Sequence, residues 1–495
     1  MNSSSLIARG FVVQATGKGA SLLISLATLT LTTRYLGSYD YGLLTTAVLF
    51  AGLFEAFAGL DVATVVVRRV TQGRGNLERL VGLQLGISLT LLLPIYVCIL
   101  LASLVVYPDD REIQIGVAIL AVGVLLRLVA HCYRPPYQVA VKFGGITASD
   151  WIGRLVALGL TAAVVVFDWG LTAIFVVQVS PFLVQLVVLV FYSRRFGRFR
   201  PAFAWPEAKS LIWEALPLAA IAVIGIVYYR IDGVLLSVLT SPDEVGAYGL
   251  AYRLVANVGM VSTLLAVTVM STLSRRYSSG PKEFGAVVGR TLDLVVALAS
   301  PILLGGIVFA GPVLAIIAPQ DLAESATRPA QWLLAATAIS FVNEMVTYVL
   351  IVAHRQRSLI YISVTVLAFN IVLNLLLIPV LAATGSAVAL TVTELVSVTV
   401  ALVVTSRVAV FRKRRLLFVV VRIAIVTLAS LAVWIAAASL GAWPSAIIAA
   451  GVFTALALIT RVVSPRELIS ALRGSSEDEK DDADPTVPDS GESDH

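Results

Sequence analysis

Residues 228–254 read YYRIDGVLLSVLTSPDEVGAYGLAYRL. Two apolar segments flank a short polar turn, and both carry charge: Arg230 and Asp232 before the turn, Arg253 after it. The segments, 211–238 and 246–271, are long enough to cross a bilayer, which takes roughly 20 mostly apolar residues. The stretch therefore reads as a transmembrane hairpin with charges in its walls. The rest of the chain has the same character. Its 495 residues are 58% hydrophobic and only 13% charged, against about a quarter charged in soluble domains. The mean hydropathy is +0.93. About fourteen span-length stretches can be marked, from 11–33 and 42–62 to 416–440 and 443–463. A β-barrel would instead alternate over ~10-residue segments. The fold class is all-α integral membrane, with about 14 transmembrane helices.

Several chemistries are poorly served by this sequence. Cys98 and Cys132 both fall inside spans, and His131, His354 and His495 lack metal-ligand spacing. Neither a disulfide framework nor a metal site is expected. No Gly-rich phosphate loop is present, which argues against an ATP-driven pump in one chain. The expectation is a protein without cofactors that is not an enzyme. The connections on the outer side are short, the longest being 318–329, which leaves no room for the catalytic domain of a membrane glycosyltransferase or polymerase.

The net charge of +6 divides unevenly. Residues 475–495 hold nine acids against Lys480, and contain Pro485 and Pro488 but no aromatic residue. Such a segment cannot bury enough apolar surface to fold and is expected to be a disordered tail. The positive remainder sits at membrane edges, so a nucleic-acid partner is not expected. Arg68, Arg69, Arg74 and Arg79, then Arg134 and Lys142, then Arg194, Arg195, Arg198 and Arg200, follow even-numbered spans; after odd-numbered spans only Arg34, Arg111 and Arg328 are found. By the positive-inside rule both termini are cytoplasmic in a multi-pass protein of the cell membrane. Arginine outnumbers lysine 30 to 6, which with the acidic tail suits a salt-loving archaeon or a GC-rich prokaryote.

The chain repeats itself. TRYLGSYDYGLL at 33–44 aligns with VLTSPDEVGAYGLA at 238–251, placing Leu36 on Leu239, Asp40 on Asp243 and Gly42 on Gly246. Ala140 and Lys142 fall on Ala353 and Arg355, and WGLTA at 169–173 falls opposite TGSAVA at 384–389. Each copy holds six spans. An even number gives both copies the same orientation, related by a pseudo-twofold axis along the membrane normal, with transport sites at the interface between them. The expected organisation is an N-lobe at 1–200, a C-lobe at 201–410, two additional spans at 411–465 and an acidic cytoplasmic tail at 466–495.

Charges remain inside the spans. Lys18, Arg127 and Arg154 fall in the inner part of the N-lobe; Arg230 and Arg253 fall in the outer half of the C-lobe; the acids are Glu55, Asp232, Glu344 and Glu394. A charge at a helix centre costs about 3 kcal/mol on insertion scales. Nine of them without compensation would cost on the order of 25 kcal/mol, more than a marginally stable protein carries. They must face interhelical partners or a hydrated central cavity. Arg230 and Asp232 are two apart, so they cannot pair on one helix face. Asn370 and Asn374, like Arg253 and Asn257, are four apart and share one.

The segments TRYLGSYDYG (33–42), YRIDGVLL with VGAYGLAYRL (229–254), SRRYS (274–278), and NIVLNLLLIP followed by TGSAVA (370–389) resemble the polysaccharide flippase branch of the multidrug/oligosaccharidyl-lipid/polysaccharide exporter superfamily. The resemblance covers about residues 5 to 465. It implies two six-helix lobes around a central cavity that opens alternately to either side. The implied cargo is a saccharide on an isoprenoid phosphate or pyrophosphate, moved from the cytoplasmic to the outer leaflet for protein glycosylation or surface polysaccharide biosynthesis. The carrier would be dolichol in an archaeon. The implied partners are membrane lipids and the glycosyltransferases and oligosaccharyltransferase of the same pathway. Arg230, Asp232 and Arg253 match a recurring pattern near the lobe interface. Lys18, Arg127 and Arg154 could receive the head group, with Arg230 and Arg253 holding it afterwards; Asp232 is counted with these substrate-binding candidates. Glu55, Glu344 and Glu394 are the candidate coupling or cavity acids. The alternative within the same superfamily is a cation-coupled multidrug or metabolite exporter.

Overall fold

The computed structural model describes residues 3–55, 62–277, 280–407 and 413–460; the acidic tail lies outside them. They form α1 (Ser3–Leu53), α2 (Val62–Thr71), α3 (Leu77–Val106), α4 (Arg111–His131), α5 (Pro135–Val139), α6 (Gly144–Phe167), α7 (Gly170–Ser193), α8 (Trp205–Leu239), α9 (Pro242–Tyr277), α10 (Pro281–Ile317), α11 (Gln320–Val352), α12 (Gln356–Thr405), α13 (Lys413–Ala436) and α14 (Ala442–Ile459). Among the described residues there is no strand. Two helices are kinked hairpins rather than rods. α1 reverses at Gly37, where φ is 71°, and α12 at Ala382, where φ is 48°. Ten helical segments are long and apolar enough to cross a membrane. The stretches marked at 11–33, 246–271 and 386–405 are helical as well, lying in α1, α9 and α12. The chain is a multi-pass membrane protein.

The internal repeat is written in the backbone. Four non-glycine residues have positive φ among the described residues: Val141, Asp168, His354 and Ala382. Val141 and His354 fall at matching places in the two copies, whereas Asp168 and Ala382 differ in conformation, with ψ of 52° and −129°. At the matching pair the hydrogen bonds also repeat. Ala140, Val141 and Lys142 amides donate to the carbonyls of Pro136, Gln138 and Tyr137; Ala353, His354 and Arg355 amides donate to those of Val349, Ile351 and Leu350. A left-handed residue with a Cβ is unfavourable. Its occurrence at equivalent positions in both copies shows the same turn built twice.

The lobes meet in the same symmetric way. Gly42 of α1 lies so close to α9 that a Cβ there would fall 1.9 Å from the Pro242 carbonyl oxygen. Its repeat mate Gly246 would place a Cβ 2.7 Å from the Ser38 oxygen. Each glycine rests on the element that carries the other, which is the signature of a twofold contact. Around it, Thr33 Oγ1 donates to the Ile317 carbonyl at 3.0 Å, Arg34 to that of Ile316 at 2.9 Å, and the Tyr107 and Ser237 hydroxyls meet at 2.6 Å. A buried cluster including Leu44, Ala47, Phe175, Tyr248 and Leu250 fills the space behind. This end of the interface, the Gly37 end, is sealed.

At the opposite, basic end, the connection between the lobes is bolted to the N-lobe. The Ala202 amide donates to the Gly82 carbonyl at 2.8 Å, and the Arg198 amide to Glu78 at 3.0 Å. Arg68 and Arg69 of α2 both reach Glu214 at 2.5 Å, and Arg79 of α3 reaches Glu207 at 2.9 Å. Ala208, Leu211 and Ala215 bury against Val62, Val65, Val66 and Leu80. The first third of α8 thus leans on α2 and α3, while its last third enters the lobe interface. α13 and α14 pack on α10 through Leu304, Val308, Val426, Ala446 and Phe453.

Candidate functional site

Glu55 sits two residues past the end of α1 and is shared by both lobes. Its Oε2 lies 2.5 Å from Arg127 Nη1 of α4 and 3.3 Å from Arg230 Nη2 of α8. The three side chains are 20%, 35% and 26% exposed, half-buried rather than sealed in apolar packing. Arg127 also lies over the Phe182 ring of α7, 4.7 Å from its centroid, a cation–π contact that holds the guanidinium plane. Arg230 crosses between lobes because Gly52 lets it. A Cβ at Gly52 would lie 1.8 Å from Arg230 Nη1. Two bases and one acid meet here, so the cluster keeps a net positive charge.

The sequence separates Arg127 and Arg230 into an inner and an outer group. The structure instead brings both to a single carboxylate. The long arginine side chains erase the difference in helix position, and α1 stops just before Glu55, which frees that acid to face both lobes. Arg154 of α6 is exposed and donates to Ser25 Oγ of α1, apart from this cluster. Arg253 of α9 is half-buried and near enough to the buried Tyr41 for its charge to act there. The side chains of Lys18 and Asn257 are outside the described residues.

The acids of the C-lobe have neutral partners. Asp232 is 1% exposed and accepts from the Tyr248 hydroxyl at 3.2 Å. Glu394 is 2% exposed and accepts from Tyr228 at 2.9 Å and from the Asn343 amide at 3.1 Å, while Asn343 also donates to Ser397. Asn370 and Asn374 are fully buried; Asn374 donates to Asn370 and accepts from Ser386 at 2.9 Å. Glu344 of α11 is half-buried and within electrostatic range of Glu394 and of Tyr229. Neither Asp232 nor Glu394 is the partner of Arg230; Glu55 is.

Some members of the site give little signal in sequence. Gly52 and Phe182 are unremarkable letters in apolar spans. Tyr228, Tyr229 and Asn343 are the readable ones, being polar groups beside charged residues inside predicted spans.

Residues 7–274, more than half of the chain, match the family model described as polysaccharide biosynthesis protein, and residues 217–376 match the MatE model. No curated protein matches the chain. Among solved structures, the lipid II flippase MurJ in an inward closed conformation superposes with a TM-score of 0.75 at 13% identity, covering 92% of this chain and 100% of MurJ. An inward-facing multidrug resistance MATE family transporter gives 0.64 at 12% identity, over 78% of this chain and 94% of its own. A MOP superfamily transporter from Pyrococcus furiosus, described as having a binding pocket of reverse polarity, gives 0.52 at 12% identity, over 79% of this chain and 95% of its own. These likenesses establish the two-lobed fold. The chain belongs to the polysaccharide biosynthesis protein family.

Proposed function

We propose that this family member is a flippase that moves a lipid-linked saccharide, on an isoprenoid phosphate or pyrophosphate, from the cytoplasmic to the outer leaflet of the cell membrane by alternating access. The observation that carries this reading is the Glu55 carboxylate held by Arg127 of one lobe and Arg230 of the other. In the empty protein, Glu55 serves as the counter-ion for two arginines. A phosphate offers more acceptor oxygens and more charge, and guanidinium groups bind it through paired, charge-assisted hydrogen bonds. Cargo therefore displaces Glu55 and bridges the lobes itself, while its isoprenoid tail stays in lipid. Lys18, Arg154 and Arg253 guide the head group to and from that position. Opening then requires the Gly37 end to part.

The orientation places the basic end and both termini in the cytoplasm, with 1–200 and 201–410 as the moving lobes. Glycosyltransferases supply the cargo, and an oligosaccharyltransferase or a polysaccharide assembly enzyme consumes it; with dolichol as carrier the pathway is archaeal protein glycosylation. The test uses proteoliposomes holding a fluorescent lipid-linked saccharide whose exposure is read by an added lectin. Protein-dependent transfer is expected. Ethidium transport driven by an imposed proton or sodium gradient, without lipid transfer, would instead identify the exporter, the reading favoured by the buried Asp232 and Glu394. The sequence marks 318–329 as a loop, but residues from Gln320 onward are already helical in α11. Cysteine labelling in intact cells should find the Arg198 loop protected and the exposed Gln320 and Asp321 at the start of α11 accessible.

A further inference from the structure

One aromatic ring in the C-lobe is out of keeping with its surroundings. Tyr229 lies within α8, next to Arg230, and is 47% exposed. Glu394 of α12, Glu344 of α11 and Tyr252 of α9 lie within electrostatic range of it. The packing around it leaves about half of the residue uncovered. It is also held in place. The Tyr228 ring stands edge-on to it at 5.2 Å, and Tyr228 is itself tied through its hydroxyl to Glu394. Glu394 is tied in turn to Asn343. The result is a firm aromatic face set among carboxylate and amide groups.

We infer that Tyr229, with Glu344, Glu394 and Asn343, forms a saccharide subsite that reads the sugar next to the carrier phosphate. A pyranose ring has one face of C–H groups and a rim of hydroxyls. The C–H face stacks on an aromatic ring, and the hydroxyls need acceptors and donors around it. A carboxylate has about four lone-pair sites, so the half-buried Glu344 can accept from a sugar hydroxyl, while the buried Glu394 stays bonded to Tyr228 and Asn343 and fixes the ring beside them. The same wall alone would also suit an aromatic cation. Arg230 is the adjacent residue, however, and brings Arg127 with it through Glu55. Two guanidinium groups beside the ring disfavour a cation and favour a ligand with an anionic end and a neutral hydroxylated end. The two walls match the two parts of one head group. This inference rests on the flippase reading and narrows it to cargo in which the first sugar is recognised.

The test separates the two parts of the head group. Purified full-length protein in nanodiscs is titrated with farnesyl diphosphate and with farnesyl diphosphate linked to glucose, galactose, mannose or N-acetylglucosamine. Wild type should bind at least one sugar-bearing probe about tenfold more tightly than the bare diphosphate, a gain of 1.4 kcal/mol. Tyr229→Leu should erase that gain and leave the affinity for bare farnesyl diphosphate unchanged; Tyr229→Phe should keep it, because the ring remains. Arg230→Ala should weaken all probes alike. Three results would overturn the subsite: no gain from any sugar in wild type, equal weakening of all probes by Tyr229→Leu, or ethidium binding that is lost in Tyr229→Leu. The first leaves the flippase reading intact if the bare diphosphate still binds. If neither kind of probe binds, the flippase reading falls, and the subsite with it.

Discussion

In the N-lobe, Glu55 and Arg127 are 20% and 35% exposed and meet as charges. In the C-lobe, Asp232 and Glu394 are 1% and 2% exposed. Glu394 is wrapped by a tyrosine and an asparagine donor, while Asp232 accepts from Tyr248 through one oxygen and its Oδ1 has no hydrogen-bond partner among the described residues. The contrast is one of exchangeability. A half-hydrated ion pair trades partners at small cost, because water and a ligand can replace the missing charge. A buried carboxylate in a satisfied network cannot lose its donors without leaving polar groups stranded. The N-lobe edge is thus equipped to release its counter-ion to cargo, and the C-lobe interior to hold a fixed shape around it.

The largest effect expected from this contrast follows removal of the cationic pair. Each hydrogen bond to a charged group contributes about 1.5–3 kcal/mol. Arg127→Ala with Arg230→Ala should lower lipid-linked saccharide transfer by about a hundredfold or more, per molecule of protein in the membrane. Normal transfer at normal abundance would remove the pair from the cargo site; loss of the protein itself would recast it as structural. Next comes the stability of the two acids. Glu394→Ala strands the Tyr228 hydroxyl and one N–H of the Asn343 amide, at about 2–6 kcal/mol for the two groups, while Glu55→Ala should cost about 1 kcal/mol or less. Thermal melting in detergent measures both, and the reverse order would break the comparison.

A smaller effect probes how Arg230 is aimed. Gly52→Ala pushes its guanidinium aside, and should reduce transfer about tenfold through misplacement alone, with melting unchanged. An unaltered rate would mean that Arg230 binds cargo in another pose. Smallest of all is deletion of 475–495. A polar terminal tail outside the packed helices should alter transfer by less than about twofold; its loss abolishing activity would assign the tail to the transport cycle.

The spans and their repeat were legible because both depend on local facts: the length of apolar runs, and turns such as YQVAVK and LIVAHR that repeat letter classes. Charges inside spans were equally visible. Their pairing was not. Arg230 lies two residues from Asp232 in sequence, yet its acid is Glu55, 175 positions away. That choice depends on which helices become neighbours and on Gly52 being small enough to let a side chain cross. Depth was a second limit, since counting residues along a helix places the Cα and not the end of a flexible guanidinium. Tyr229 showed a third. An aromatic letter in a span looks the same whether it fills the core or is left half uncovered.

The paired glycine contact has a bearing on how such a chain can change over generations. Gly42 rests on Pro242, and Gly246 rests on Ser38. A larger residue at either position wedges apart the same two helices, so the halves of the duplication are not free to drift separately at this point. Relief of a wedge made in one half has to come from the other. However far the two copies drift elsewhere, here they still answer to one another.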